Sequence, residues 1–289
     1  MKHFFYLLSL LLFLPTFNNA MAAEIMDDRG VKIALSSAPT RLVSLLPSIT
    51  ESLCAVGRCD LIVGVDEYSN YPSRVKSIAR VGSALSPNLE LIISLKPDLV
   101  LMSSNSRLSQ RLEHLGIKVI VINTVHSSDV RESLSKLDLI FRSNLGQALW
   151  KSIDSKITEA SQTLPNKSKN LRVYFEVSPG PYAADPKSFI GETLTRLGVS
   201  NIVPSDIGDF PKLNPEFIVK ENPDLIIISD NNYSDLIKRP GWGEMTAIRK
   251  NRVCALTKEQ SDIVVRPGPR MGEGAKIIAQ CILSKGLNS

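Results

Sequence analysis

The fold is decided by a stretch that occurs twice: NLELIISLKPDLVLMS at residues 88–103 and NPEFIVKENPDLIIIS at residues 214–229. At a constant offset of 126 positions, 7 of the 16 residues are identical. In each copy an asparagine can cap a short helix, a glutamate lies in its first turn, and a proline ends it. The apolar run that follows is typical of a strand buried on both faces of a parallel sheet. The repeat therefore predicts two equivalent α/β lobes.

The segments around both copies support this duplication. Strands are predicted at 41–46 and 171–178, and each leads through a proline into a helix that a glycine ends. Each lobe has a further short strand, at 118–123 and 252–257. Strands that alternate with helices indicate Rossmann-like lobes with central parallel sheets and right-handed crossovers.

A polar helical stretch joins the two lobes. Apolar residues recur there at helical spacing: Leu145, Leu149, Ile153 and Ile157. A helix over 145–163 would be about 28 Å long, long enough to brace both lobes. Because one packed helix makes a stiff connection, we expect a ligand cleft between the lobes that closes only slightly.

The first 22 residues have the pattern of an export signal. A basic start precedes the apolar stretch 4–17, and residues 20–22 form an Ala-x-Ala cleavage site. A membrane anchor needs about 20 apolar residues, so we expect cleavage near Ala22 and release into the periplasm. No cysteine stands near that site to take a lipid anchor. The predicted divisions are a signal peptide (1–22), an N-terminal α/β lobe (23–126), a linker with the backbone helix (127–168) and a C-terminal α/β lobe (169–289).

Composition and motifs exclude several classes of protein. The 289 residues include 34 Lys and Arg against 29 Asp and Glu, a net charge of +5 with no long basic run, so nucleic-acid binding is not indicated. Hydrolase, zinc-protease, P-loop and dinucleotide motifs are all absent from the sequence. With only 3 histidines, we expect no catalytic residues, no catalytic cofactor and no metal held by the protein. The acidic pairs at 27–28 and 66–67 are predicted to lie in solvated loops.

Four cysteines remain in the exported chain, and an even number suggests two disulfides in an oxidising compartment. Three pairings are possible, and free buried thiols are the alternative. We favour Cys54–Cys59, which would clip a helix end, and Cys254–Cys281, which would tie the last strand to the last helix.

Aromatic residues follow the predicted strands, where open α/β sheets bind ligands. Four lie on such loops: Tyr68, Tyr71, Tyr182 and Phe210. Any one of them alone could be a packing residue, but four at equivalent edges favour a wide apolar cleft. Asp262 and Arg266 follow the last strand, where they could contact the polar edge of a ligand.

Five segments together resemble a known family: RLVSLLPSITESLCAVG, VGVDEYSNYPSRV, LKPDLVLMSS, SPGPYAADPKSFIGETLTRLG and RPGPRMGEG. The chain is similar to the cobalamin-type branch of the helical-backbone metal-receptor proteins (class III). These are periplasmic substrate-binding components of ABC importers for vitamin B12, ferric siderophores or haem. The resemblance extends over residues 41–285 and implies binding of vitamin B12, with a partner permease and ATPase in the inner membrane.

The resemblance also implies the residues of the ligand cleft. Pro47 and Tyr68 would contact the ligand from the first lobe, and Tyr182 and Phe210 from the second. Asp262 and Arg266 would lie near its polar rim. Where this branch has a tryptophan in the cleft, the sequence has Ala84, which implies a roomier site.

The repeated glutamates Glu90 and Glu216 match the family's permease-docking positions, one on each lobe. Helix capping is their other role, and the two roles can coexist. The expected cargo is a corrinoid carried by a monomer. Haem, with Tyr68 as an axial phenolate, and a ferric siderophore are alternatives on the same fold. A secreted enzyme or a carrier of bare metal ions is a third class, which the missing nucleophile–base set and the few histidines disfavour.

Overall fold

The computed structural model describes residues 23–83, 85–104, 107–229 and 233–287. The predicted signal peptide and Ala84 lie outside the described residues. An N-terminal hairpin precedes two α/β lobes, each with its own five-stranded sheet. This is the α/β, two-lobed architecture that the sequence predicts.

The N-terminal lobe contains a fully parallel sheet. In chain order, the hairpin and this lobe consist of β1 (Ala23–Met26), β2 (Lys32–Leu35), β3 (Leu42–Ser44), α1 (Pro47–Ala55), β4 (Ile62–Val65), β5 (Ala79–Arg80), α2 (Leu89–Ser94), β6 (Leu99–Met102), α3 (Leu108–His114) and β7 (Lys118–Val121). The strand order in the sheet is β5-β4-β3-β6-β7.

The linker contains two helices, α4 (Ser127–Phe141) and α5 (Leu145–Gln162). The predicted backbone helix is α5, whose Ile153 and Ile157 are buried. It packs against α4 on one side and against helices of the C-terminal lobe on the other.

The C-terminal lobe repeats the plan of the first. Its elements are β8 (Arg172–Ser178), β9 (Tyr182–Ala183), α6 (Phe189–Arg196), β10 (Ser200–Asn201), α7 (Pro215–Glu221), β11 (Leu225–Ile228), α8 (Tyr233–Leu236), α9 (Thr246–Arg249), β12 (Val253–Ala255), α10 (Lys258–Val264) and α11 (Met271–Cys281). The order β10-β8-β11-β12 matches β4-β3-β6-β7, and β9 pairs antiparallel with β8.

The sequence repeat has a structural reason. Its apolar runs form β6 and β11, the strands beside β3 and β8. The repeated Asp98 accepts hydrogen bonds from the Thr40 and Arg41 amides (2.7 and 3.0 Å), and Asp224 accepts one from the Arg172 amide (2.9 Å). The same aspartate thus fixes the start of the neighbouring strand in both lobes.

The hairpin β1–β2 corrects one prediction in part, because Asp28 is exposed in the turn but Asp27 is not solvated. Asp27 is buried and accepts hydrogen bonds from the Val31 and Val121 amides (3.1 and 3.2 Å). Burial alone would raise the pKa of Asp27, but these bonds and one from the Arg29 side chain outweigh burial and lower it. Asp28 pairs with the buried Lys136 of α4.

Both disulfides form the favoured pairs. Cys54–Cys59 closes the end of α1, and Cys254–Cys281 joins β12 to α11. The two bonds differ in the length of chain they close, 5 against 27 residues of separation.

Removing the disulfide that closes the longer loop should destabilise the protein more than removing the other disulfide. With chain entropy as the main contribution, Cys254→Ser with Cys281→Ser is expected to lower the free energy of unfolding by about 3.5 kcal/mol, and Cys54→Ser with Cys59→Ser by about 2 kcal/mol. Urea unfolding followed by circular dichroism measures both. A larger loss for the short loop would contradict this ranking.

Candidate ligand-binding cleft

A cavity of about 1010 Å³ opens at the carboxyl ends of the parallel strands. Its lining comes from the loops and helix ends that follow β3, β4, β5, β6, β7 and β12: Leu46–Ser48, Glu67, Tyr68, Asn70, Leu85, Ser103, Ser104, 122–125, Lys258, Asp262 and 265–267. This is where open parallel sheets bind ligands. Small-molecule sites measure roughly 300–1000 Å³, so the cavity suits a large ligand.

Tyr68 is the aromatic side chain that the cavity presents to solvent, with 62% of its surface exposed. Asp66 holds the loop that carries Tyr68, because its carboxylate accepts hydrogen bonds from the Tyr68 amide (2.9 Å) and the Ser69 hydroxyl. Asp66 is buried, so the predicted solvated loop is wrong at this position. Burial raises the pKa of its carboxyl group despite those hydrogen bonds.

A buried ion cluster joins the lobes beneath the cavity. Glu51 of α1 is only 3% exposed. It accepts hydrogen bonds from Arg266 (2.8 Å) and, at both carboxylate oxygens, from Arg270 (2.6 and 2.7 Å). Both arginines belong to the C-terminal lobe and are themselves buried.

Asp262 and Asn70 extend this cluster to the cavity wall. The Asn70 amide donates to Asp262 (2.9 Å) and accepts from Arg266 (2.8 Å). Burial would raise the pKa of Asp262, but the hydrogen bonds from Asn70 and Lys258 and the charge of Arg266 lower it.

This lowered pKa predicts a stability loss in acid. A carboxyl group with a depressed folded-state pKa stabilises the fold above its unfolded pKa, and that contribution disappears as the pH falls through the folded pKa. Asp262→Asn should therefore cost about 2 kcal/mol at pH 7, and the difference from the wild type should shrink below about pH 4.

Urea unfolding between pH 3 and 7 measures this effect. Asp60→Asn is the matched control, because its carboxylate is 87% exposed and pairs with Arg74 at the surface. A constant difference between Asp262→Asn and the wild type across this range would show that the Asp262 charge does not stabilise the fold.

The structure brings four of the six predicted cleft residues together. Pro47, Tyr68, Asp262 and Arg266 all line the cavity. Tyr182 and Phe210 are not among its lining residues.

The two aromatics of the C-terminal lobe lie elsewhere. Tyr182 stands in β9 with 42% of its surface exposed. Phe210 is half-buried and packs edge-on against Phe189, with 6.2 Å between ring centroids. The Phe189 amide in turn donates to the carbonyl of Val125, a lining residue, so Phe210 is connected to the cavity wall through Phe189.

The repeated glutamates are both exposed, one on each lobe. Glu90 lies in the first turn of α2 and Glu216 in the first turn of α7. The helices are capped by Asn88 and Asn214, whose side chains accept from the Leu91 and Glu216 amides (both 2.9 Å).

Glu51, Asn70 and Arg270 are site residues that the sequence did not predict. A glutamate in a short helix is ordinarily exposed, and the partners of Glu51 lie 215 and 219 residues away. A signal was present, since Arg270 stands in the same RPGPRM segment as Arg266 and has no role in the implied cleft. In the structure its guanidinium lies 4.2 Å from the Tyr71 ring centroid.

The chain is similar to proteins of a known family. The family model described as periplasmic binding protein matches residues 42–260. The chain belongs to the periplasmic binding protein family. Its two-lobed fold is the class III form, as in the periplasmic vitamin B12 binding protein of Vibrio cholerae, with a TM-score of 0.72, 22% identity, and coverage of 87% of this chain and 99% of that one.

Two relatives in this family cover most of the chain. An uncharacterized ABC transporter substrate-binding lipoprotein of Bacillus subtilis is 34% identical over 89% of this chain and 84% of its own length. A vitamin B12-binding protein of Salmonella paratyphi A is 28% identical over 86% of this chain and 91% of its own.

The described residues contain no group of three His, Cys, Asp or Glu side chains that could hold a metal ion. No helix in the described part of the chain is both long and apolar enough to cross a bilayer.

Proposed function

We propose that this family member is an exported substrate-binding protein that captures a corrinoid such as vitamin B12 and delivers it to an ABC importer. The observation behind this proposal is the large cleft with an exposed tyrosine and a lining of neutral hydrogen-bonding groups. Its hydroxyl and amide side chains include Ser103, Ser104, Asn123 and Thr124. A corrinoid offers wide apolar faces and a rim of neutral amides, which such a lining can bind.

The charges of the cleft favour a corrinoid over more acidic ligands. Two cations and two anions stand in the described lining, and both cations are paired. Lys258 lies 2.9 Å from Asp262, and Arg266 lies 2.8 Å from Glu51. Haem carries propionates and many ferric siderophores are anionic, so each would require unpaired positive charge in the cleft.

Tyr68 is also poorly suited to bind haem iron. An axial tyrosine binds as a phenolate, yet the neighbouring Glu67 raises the pKa of the Tyr68 phenol by its hydrogen bond and its charge. We propose that Tyr68 and Pro47 instead pack against a corrinoid face, with Asp262 and Arg266 near its rim. Tyr182 and Phe210 would contact the ligand from the second lobe.

To deliver a corrinoid, the protein would be exported and would dock on its importer. Residues 1–22 would direct export and be cleaved near Ala22, leaving a periplasmic monomer. Glu90 and Glu216 would dock on the permease, whose ATPase drives uptake. Cobalamin is cargo, and the protein itself carries out no catalysis and needs no catalytic cofactor, consistent with its substrate-binding relatives.

Absorption spectroscopy distinguishes the ligands. The purified protein is mixed separately with cyanocobalamin, haemin and a ferric siderophore, then desalted. Retained corrinoid absorbance is the expected result. A retained Soret band or siderophore charge-transfer band, without corrinoid, would overturn the assignment of the cargo.

A further inference from the structure

The two segments at opposite ends of the resemblance meet in the folded protein. The segment 41–57 contributes Glu51 of the N-terminal lobe. The segment 266–274 contributes its partners Arg266 and Arg270, both of the C-terminal lobe. The backbones of the two segments also approach each other closely. A Cβ atom added at Gly268 would lie 3.3 Å from the Ser48 carbonyl oxygen. These segments therefore form a built contact between the lobes.

This contact extends to the ligand side of the cleft. Besides binding Glu51, Arg266 donates to the Tyr68 carbonyl (3.1 Å) and to the Asn70 side chain (2.8 Å). Arg270 stacks on Tyr71 from the same direction. The loop that presents Tyr68 is thus held by the opposite lobe as well as by its own.

The buried part of the cluster holds two carboxylates and two guanidinium groups. Glu51 and Asp262 oppose Arg266 and Arg270, and all four residues are at most 9% exposed, while the exposed Lys258 also pairs with Asp262. Without the Glu51 carboxylate, Arg270 would lose its ion pair and Arg266 would share Asp262 with Lys258. Buried charges that lose a partner are costly to leave in place, so the arginines would move toward water and the lobes would separate.

We propose that Glu51 is a positioning residue of the cleft, which sets the separation of the lobes and the place of Tyr68 through Arg266 and Arg270. Its effect on the ligand rests on the proposed function. Its effect on the lobes does not, because the contact exists in the protein alone.

Distance measurement between spin labels tests this inference without any ligand. Labels at Ser94→Cys and Lys220→Cys stand on exposed, equivalent positions of the two lobes. Pulsed electron resonance is expected to show a longer and broader distance distribution for Glu51→Gln than for the parent. Glu51→Asp, which keeps the charge, should restore much of the parent distribution.

Glu176→Gln is the matched control. Glu176 is 4% exposed and accepts two hydrogen bonds from Arg239 (2.6 and 2.7 Å), but both residues belong to the C-terminal lobe. This variant removes an equally buried carboxylate and should leave the distance distribution unchanged. If Glu51→Gln does not fold, Arg270→Lys replaces it, because Lys keeps the charge but cannot make the two-pronged contact.

Cyanocobalamin affinity gives the second measurement. Glu51→Gln should weaken binding by about 10-fold, although Glu51 is not a lining residue of the cavity, and Glu176→Gln should not weaken it. A parental distance distribution in the folded Glu51→Gln or Arg270→Lys variant would overturn the inference. Failure of the wild type to bind any corrinoid would overturn the proposed function alone.

Discussion

Replacing Glu90 and Glu216 together by alanine is expected to lower uptake by about 10-fold while cyanocobalamin affinity stays unchanged. Each carboxylate is exposed in the first turn of a short helix, at equivalent points of the two lobes. Under the proposed function, the two carboxylates would contact the permease at two points, one from each lobe. An exposed ion pair contributes about 0.2–1 kcal/mol, so losing both removes about 0.4–2 kcal/mol. A factor of 10 corresponds to about 1.4 kcal/mol, which lies within this range.

Uptake of labelled cyanocobalamin by cells that carry the cognate importer measures this effect. The control pair is Glu24→Ala with Glu244→Ala, which removes two exposed carboxylates elsewhere on the chain and changes the net charge equally. Each single substitution at Glu90 or Glu216 should give an intermediate rate. Equal uptake by the two double variants would refute the docking role.

Glu51→Gln is expected to lower the free energy of unfolding by about 3–5 kcal/mol, the usual cost of removing one partner from a buried pair. The pair is buried on both sides, with side-chain exposure of 2% for Glu51 and 7% for Arg270. The amide oxygen of Gln can still accept hydrogen bonds, but its NH2 group is a donor that would face a guanidinium donor, and the amide cannot neutralise two guanidinium groups.

Urea unfolding at pH 7 measures this loss. Asp60→Asn breaks a surface pair with Arg74, whose side chain is 52% exposed, and should cost less than about 1 kcal/mol. A similarly small cost for Glu51→Gln would mean that the arginines find other partners or water, and that the contact between the lobes does not depend on this carboxylate.

The repeat made the lobes predictable because it contains local information. Each copy specifies a capped helix, a stop and a buried strand, and the structure places these as α2–β6 and α7–β11. The shared role of Asp98 and Asp224 at the neighbouring strand explains why the match extends through the Pro-Asp pair.

The features that the sequence did not predict belong to residues whose contact partners lie far away in the chain. The sequence places no second carboxylate opposite Asp27 and so predicts a solvated loop, but the Val121 amide donates to Asp27 from a strand 94 residues later. Likewise, the sequence placed Phe210 on a loop after a strand, yet only the fold shows that Phe189 covers it. Arg266 was assigned to the ligand rim, and the structure adds its buried partner Glu51.

Isothermal titration of the purified protein with cyanocobalamin tests whether the cleft binds a corrinoid. We expect saturable binding of one corrinoid per chain with a Kd below about 1 μM, and weaker binding by Tyr68→Ala. Absence of saturable corrinoid binding, with one-to-one binding of haemin or a ferric siderophore by the same preparation, would contradict it.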